Sequence, residues 1–463
     1  MTRARKRRSA AWRGLALVLL STVLVGLTVS ASVGHARSTA ASQTTLRIWY
    51  GSDDPTERPW AQELAQRFAT RHRSVQVKLS FYSLDDIIAK TQLALSAGNP
   101  PDLIYTTPRG PGLPAYVRAG RLRDLSAEAR RRSWAGQLRP ALLAEYNRLL
   151  AANGSKRDAG RIYGVPYVVA AVGILYNKDI FHTLHLHVPR SLSAFVALLP
   201  RLKRAGYTPI GFGNEDGWVG DDWWLTLVNA AVDPATLHPA LRHDPSFTFT
   251  RAPFRQAGAT LLDWANRGYF TPDFGGLDPQ EVLDDFFGQG RTAMQLISST
   301  ENSQILSALR DKGSRVHNVG VFAFPSARAG QPPVMAQSGY AGWAIPRAAH
   351  NPADALDFIG DATSAATAQL LLAHGMLPAH RIDARTPRLA APFQRDYINA
   401  LNAATPGVYL DAAPVPNINA TMEANIQLLL KNIETPEFLT RSLQDVYSSG
   451  GMNATNTRTD GEF

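Results

Sequence analysis

Ala97-Gly98-Asn99-Pro100-Pro101-Asp102-Leu103-Ile104-Tyr105 marks the passage from a helix over residues 84–97 to a strand over residues 103–106. Gly and Pro punctuate the change, and the apolar run after them suits a buried strand. Upstream, Val75, Val77, Leu79 and Phe81 alternate along one side of a strand. Trp60, Leu64 and Phe68 fall on one helical face behind Pro59, and residues 45–50 form a short β-rich run. This βαβαβ order predicts an α/β lobe with a parallel-rich sheet, whose ligands sit outside the strand C-termini. The loops Gly51-Ser52-Asp53-Asp54 and Thr106-Thr107-Pro108-Arg109 are therefore the first candidate contacts.

A second unit opens near Gly160. Tyr163-Gly164-Val165-Pro166-Tyr167 leads into a buried-looking strand over residues 168–176, followed by a helix over 195–203 and a strand over 208–212. A polar, aromatic loop comes next, Asn214-Glu215-Asp216-Gly217-Trp218, and then Asp221-Asp222-Trp223-Trp224. Three of the nine Trp lie within residues 218–224, the densest aromatic cluster in the chain. Trp223 and Trp224 diverge by about 100° in a helix, so one of them is expected to face the core.

With 463 residues and 45% hydrophobic composition, the chain exceeds what one core usually holds, and two lobes are the default. Residues 1–36 read as a secretory signal: Arg3, Arg5, Lys6, Arg7, Arg8 and Arg13 without an acid, then an apolar run over 15–29, with cleavage expected after Ala36. The other reading of the same run is an uncut membrane anchor. Cleavage would remove six basic residues and no acid, taking the formal charge from +10 to +4. A nucleic-acid partner needs a concentrated basic face, and Arg121, Arg123, Arg130, Arg131 and Arg132, interleaved with Asp124 and Glu128, read as a solvated helix face instead. Zero Cys excludes disulfides, thiolate metal sites and a cysteine nucleophile. The tail over 451–463 has no apolar periodicity and is expected to be disordered.

Six motifs in order then carry a family likeness. Gly98-Asn99-Pro100-Pro101-Asp102, Gly164-Val165-Pro166-Tyr167, Tyr176-Asn177-Lys178-Asp179-Ile180-Phe181, Ala205-Gly206-Tyr207-Thr208-Pro209-Ile210, Phe287-Gly288-Gln289-Gly290-Arg291-Thr292-Ala293-Met294 and Gly342-Trp343-Ala344-Ile345-Pro346 together resemble the extracellular solute-binding proteins, family 1, of ABC sugar importers. The resemblance implies a two-lobe periplasmic-binding-protein-like fold of type II, with a hinge of crossing segments and a ligand cleft between the lobes. It places the first lobe at residues 44–159 and 346–400 and the second at 160–345 and 401–450. It implies a monomer without cofactor or metal that captures a carbohydrate, an oligosaccharide above all, and delivers it to membrane permease subunits. Carried over position by position, the cleft contacts fall on Gly51, Ser52, Asp53, Thr106, Arg109, Tyr167, Asp216 and Trp218. Further contacts fall on Thr300, Glu301, Tyr340, Trp343, Asn419 and Asn425. Many relatives have a Gly-Ser-Trp-like turn where this chain reads Ser298-Ser299-Thr300-Glu301, so a stacking platform is missing there.

The chemistry of sugar capture suits these residue types. A pyranose packs its C–H faces on electron-rich rings, and its hydroxyls need donors and acceptors, so Trp218 beside Asp216 is the leading pair. Thr300 and Glu301 could equally form a turn that caps the following helix. Gly339-Tyr340-Ala341-Gly342 suits either a hinge or a tight turn between core strands. An enzyme is the rival class: Asp53-Asp54, Asp85-Asp86, Asp221-Asp222 and Asp284-Asp285 invite a glycosidase reading. Adjacent residues on a strand point to opposite faces, however, so these pairs are not dyads in themselves. Metal capture would use His185 and His187, which share one side of an extended segment in Phe181-His182-Thr183-Leu184-His185-Leu186-His187, but no nearby acidic or Cys ligand completes the set.

Overall fold

The computed structural model describes residues 43–52, 57–107, 113–150, 160–382 and 389–450. The leader over 1–36, Asp53, Arg109 and the tail over 451–463 lie outside them. Among the described residues nine strands form the framework: β1 (Thr44–Gly51), β2 (Val75–Tyr82), β3 (Leu103–Thr106), β4 (Gly164–Asn177), β5 (Thr208–Gly211), β6 (Thr292–Ser298), β7 (Val319–Phe322), β8 (Val334–Ala344) and β9 (Thr405–Gly407). They run in the order β2-β1-β3-β8-β4-β6-β5, with β7 paired to β4 and β9 to β8. β1 is parallel to β2 and β3, and β5 is parallel to β6. Each parallel group arises from strand–helix–strand crossovers, as the βαβ patterning of the sequence requires.

Two long antiparallel strands join the groups. β4 pairs with β8 over its first half, from Gly164↔Ala344 to Ala171↔Gln337, and with β6 over its second, from Val172↔Ser298 to Tyr176↔Met294. The change of partner falls between Ala171 and Val172, where the chain leaves one group and enters the other. Register slips around Pro166, Val168 and Val169, where a proline without an N–H interrupts the ladder. The lead-in Gly164-Val165-Pro166-Tyr167 is thus part of the strand itself.

The Asn-Pro-Pro-Asp turn has a structural job. Asp102 is fully buried, and its carboxylate accepts the backbone N–H of Arg47 (2.9 Å), His350 (2.9 Å) and Asn351 (2.8 Å). Three charge-assisted hydrogen bonds compensate the lost hydration of the acid. They bolt β1 and the approach to β3 onto the start of the helix Pro352–Ala362, so distant stretches of sequence share one unit.

One core gathers β1, β3 and the helices Arg58–Arg71, Pro352–Ala362 and Ala365–Ala373, with Trp60, Tyr167 and Trp343 at its centre. A second, larger core surrounds the helix Trp218–Ala231. Trp223 and Trp224 are both fully buried there: Trp223 packs edge-on to Trp264 at 5.7 Å, and Trp224 donates its indole N–H to Phe254 O at 3.1 Å. One of the pair was expected to face the core; both do, because this helix is covered on nearly every side. A third core holds β7 and the helix Pro392–Ala403, so this helix packs on β7 although the expected boundary put residues up to 400 in the first lobe.

Gly339 and Gly342 are explained by packing. A Cβ at either position would lie 2.6 Å from the Tyr146 ring or hydroxyl, so their absent side chains let the helix Pro140–Leu150 lie against β8. Two arginines of the basic run over 130–132 are held in ion pairs, Arg131 on Glu128 and Arg132 on Asp357. Among the described residues, no helix is long and apolar enough to cross a membrane.

Candidate functional site

The C-terminal ends of β1 and β3 bring together Gly51, Ser52 and Thr106, as their parallel pairing dictates. Gly51 and Ser52 are buried, and the Ser52 N–H donates to Tyr82 O at 3.0 Å. Thr106 has no exposed surface, and Tyr146 donates its hydroxyl to Thr106 O at 2.8 Å. Tyr167 lies between Trp60, at 5.0 Å, and Trp343, which it stacks on at 5.3 Å. Its hydroxyl donates to Tyr50 at 3.1 Å, and Tyr50 donates to Glu57 at 3.0 Å. Both faces of Tyr167 are therefore covered, and Trp343 is just as enclosed. Thr106, Tyr167 and Trp343, expected as direct contacts, are core residues here that shape the wall behind the strand ends. Tyr340, on the same strand as Trp343, is half-buried.

The second group offers more open chemistry. Asn214 is buried and accepts the Gly220 N–H at 2.7 Å, while Gln427 donates to Asn214 O and Glu215 O at 3.1 and 2.7 Å. This frame fixes the turn in which Gly217 adopts φ 87°, a conformation that favours glycine. A Cβ at Gly217 would also meet Glu423 at 2.9 Å. Asp216 then stands exposed and Trp218 half-buried, at the start of the helix Trp218–Ala231.

The helix Ile418–Leu430 completes this side. Asn419 is exposed and donates to Glu423 Oε1 at 2.9 Å, so both project from the face that meets Gly217. Asn425 is buried, and its Nδ2 has no hydrogen-bond partner among the described residues. Six residues turn a helix by about 240°, so Asn419 and Asn425 cannot present one face to one ligand. The structure sets Glu423 against the turn that carries Asp216 and Trp218, with Asn419 one helical turn before it, and leaves Asn425 inside.

Ser298 and Glu301 form a capping box around Thr300: Glu301 Oε2 accepts the Ser298 N–H at 2.8 Å, and the Ser298 hydroxyl accepts the Thr300 N–H. Ser299 fastens this turn to the crossing strand, donating to Val169 O at 2.8 Å and accepting from Ala171 N at 3.0 Å. Burial pushes the Glu301 carboxyl up to about 8, against the Ser298 hydrogen bond and with added repulsion from Asp222. The acid is thus predominantly protonated at neutral pH and can donate a hydrogen bond. Asp222, Glu423 and Tyr397, whose hydroxyl donates to Ala171 O, were not singled out in the sequence as solute contacts. Glu423 had a visible signal, its place four residues after Asn419, whereas Tyr397 had none. The helix Lys178–Thr183 ends just before this stretch and His185 has φ 52°, so His185 and His187 do not lie on the extended segment expected for them. Among the described residues no group of three or more metal-ligating side chains occurs.

The sequence profile of the family described as "Bacterial extracellular solute-binding protein" matches residues 52–369. The chain belongs to that family. Of this solute-binding protein's relatives, the "Multiple sugar-binding protein" of Streptococcus mutans is 20% identical over 312 residues, covering 66% of this chain and 69% of the relative. The "Melibiose/raffinose/stachyose-binding protein MelE" of Bacillus subtilis is 26% identical over 205 residues, 44% of this chain and 42% of the relative. Among solved structures, a "Chitin oligosaccharide binding protein" superposes with TM-score 0.72 at 22% identity, covering 89% of this chain and 99% of the other. RafE in complex with raffinose gives 0.67 at 19% identity, covering 88% and 100%. The fold is that of the type II periplasmic-binding proteins.

Proposed function

We propose that this protein captures a carbohydrate, an oligosaccharide above all, outside the cytoplasm and delivers it to the permease of an ABC importer. The observation that carries this reading is the pairing of an exposed Asp216 and half-buried Trp218 with Asn419 and Glu423, at the end of a parallel group joined to its counterpart by two crossing strands. A half-exposed indole beside carboxylate and amide groups suits a ring with apolar faces and a hydroxyl rim. The names of relatives that bind raffinose, stachyose or chitin oligosaccharides support the same class.

Gly51, Ser52, Asp53, Thr106, Arg109, Tyr167, Tyr340 and Trp343 supply or back one wall in this reading. Asp216, Trp218, Thr300, Glu301 and Asn419 supply the other. The first lobe takes residues 44–159 and 346–391, the second 160–345 and 392–450 because the helix Pro392–Ala403 packs on β7, and β4 and β8 serve as the hinge. A solute that touches both walls stabilises the closed arrangement, and a permease can read that closure. The protein works as a monomer after removal of residues 1–36 and leaves its solute chemically unchanged.

The test is a thermal-shift and calorimetric screen with raffinose, stachyose, chitotriose, amino acids and polyamines. A carbohydrate that closes the protein should raise the melting temperature. Stabilisation by polyamines or amino acids alone would end the carbohydrate reading, as would hydrolysis of a bound oligosaccharide.

A further inference from the structure

A groove of about 1000 Å³ lies outside this site. It follows the helix Leu192–Arg204, between the end of the helix Ala252–Asn266 and the loop over 326–331 that leads from β7 to β8. The loop is held by the Ala327 N–H, which donates to Ala230 O at 3.0 Å, and by the Arg328 N–H, which donates to Ser326 Oγ at 3.1 Å. On the helix side, Ser191 Oγ accepts the Ala194 N–H at 3.1 Å and caps the first turn. Both rims are hydrogen-bonded backbone, so the groove is preformed.

Its lining is cationic and apolar at once. Arg190, Arg267 and Arg328 face the groove with one acid among the lining residues, Asp263. Both Asp263 oxygens accept from Arg267 Nε at 2.8 Å, so that acid is already matched. Arg190 is exposed and Arg328 half-buried, and neither guanidinium has a hydrogen bond or ion pair among the described residues. The Arg328 Nε is buried without a partner there. The helix directs the positive end of its dipole to the Arg190 side and adds to the same potential. Between the charges lie Leu192, Val196, Ala197 and Pro200. Five large apolar side chains stay exposed among the described residues, and two of them, Val188 and Val196, stand at this groove or two positions before Arg190.

We infer that this groove docks an extended segment of a partner protein that carries acidic side chains next to apolar ones. Carboxylates of the segment would pair with the planar forks of Arg190 and Arg328, and its apolar side chains would cover Val196 and Ala197. Length favours a peptide over a small anion. From Arg190 to Pro200 the chain of the helix rises about 15 Å, which matches about 4–5 extended residues. A lone carboxylate or phosphate would satisfy the guanidinium groups and leave the apolar floor in water. The groove shares no residue with the two walls assigned to the solute, so this inference stands whether or not the solute is a sugar.

The experiment pans a phage-displayed library of random heptapeptides on the purified protein and, in parallel, on the double variant Arg190→Gln/Arg328→Gln. Enriched peptides are synthesised and titrated by calorimetry. The expected result is a consensus that joins Asp or Glu to apolar residues, with affinity about tenfold weaker in the double variant and falling as salt rises. Val196→Glu, at an exposed position, should weaken the same peptides by a similar factor through repulsion of their carboxylates, and it keeps the test decisive if Arg328→Gln disturbs its loop. Absence of an acidic consensus, or a consensus bound equally by the native protein and both variants, overturns the inference. So does displacement of the peptides by sodium phosphate at concentrations where sodium chloride of equal ionic strength has no effect, which assigns the groove to a small anion. Self-association in sedimentation that the double variant loses assigns it to a second copy of this chain and equally overturns the partner assignment.

Discussion

The two parallel groups use their aromatic rings in opposite ways. In the first, Trp60, Tyr167 and Trp343 interlock face and edge around Tyr50, leaving no ring surface open. In the second, Trp223, Trp224 and Trp264 fill the core, yet Trp218, five positions before Trp223, stays half-exposed beside Asp216. A ring that begins a helix behind a glycine turn escapes the packing that captures the rings further along it. The lesson is that a solute platform is recognised by the polar frame around it, here Asn214 and Gln427, more than by ring density.

Four experiments would break or sharpen this contrast. Trp343→Ala should cost about 3–5 kcal/mol by opening a cavity at the centre of the first core. Chemical denaturation would measure it, and a loss below about 1 kcal/mol would show that the ring is not enclosed. Asp102→Ala should cost on the order of 2–4 kcal/mol, because three buried N–H groups lose their acceptor. Circular dichroism melting would read that loss, and an unchanged melting temperature would refute the role of the Asn-Pro-Pro-Asp turn as a bolt. Trp218→Ala should weaken binding of the solute found by screening about tenfold, or about 1.4 kcal/mol, while the unliganded protein keeps its melting temperature within a few degrees. Unchanged affinity in calorimetry would remove Trp218 from the site.

The smallest effect concerns protons. The Glu301 carboxyl titrates higher in the folded protein, at about 8, than in the unfolded chain, so the folded state binds the extra proton. Its contribution to stability is present below the ordinary carboxylate range and falls away as pH rises towards 8. Melting temperatures between pH 5 and pH 9 should therefore decline more steeply for the native protein than for Glu301→Gln, whose amide oxygen can still accept from Ser298. Parallel slopes would place the Glu301 carboxyl in water.

Much of the framework was legible without coordinates. The alternation of Val75, Val77, Leu79 and Phe81 and the helical stripe of Trp60, Leu64 and Phe68 announced β2 and its preceding helix, because local periodicity records which side of an element is covered. Site assignments travelled less well. Tyr167 and Trp343 carry the same side-chain chemistry as a solute platform, and nothing local says that another ring covers each face. Asn425 differs from Asn419 only by helical phase relative to a neighbour more than 200 positions away, at Gly217.

The sequence by itself determined the strand and helix succession, the order of the six motifs and the fixed turn after residue 97, since these depend on backbone preference and short-range pattern. Tertiary structure alone decided that Asp102 is a bolt, that Trp218 stays open while Trp343 closes, and that Arg190 and Arg328 line one groove. Burial, desolvation and the pairing of charges are properties of neighbours brought together by folding, and those neighbours lie tens to hundreds of residues apart along the chain.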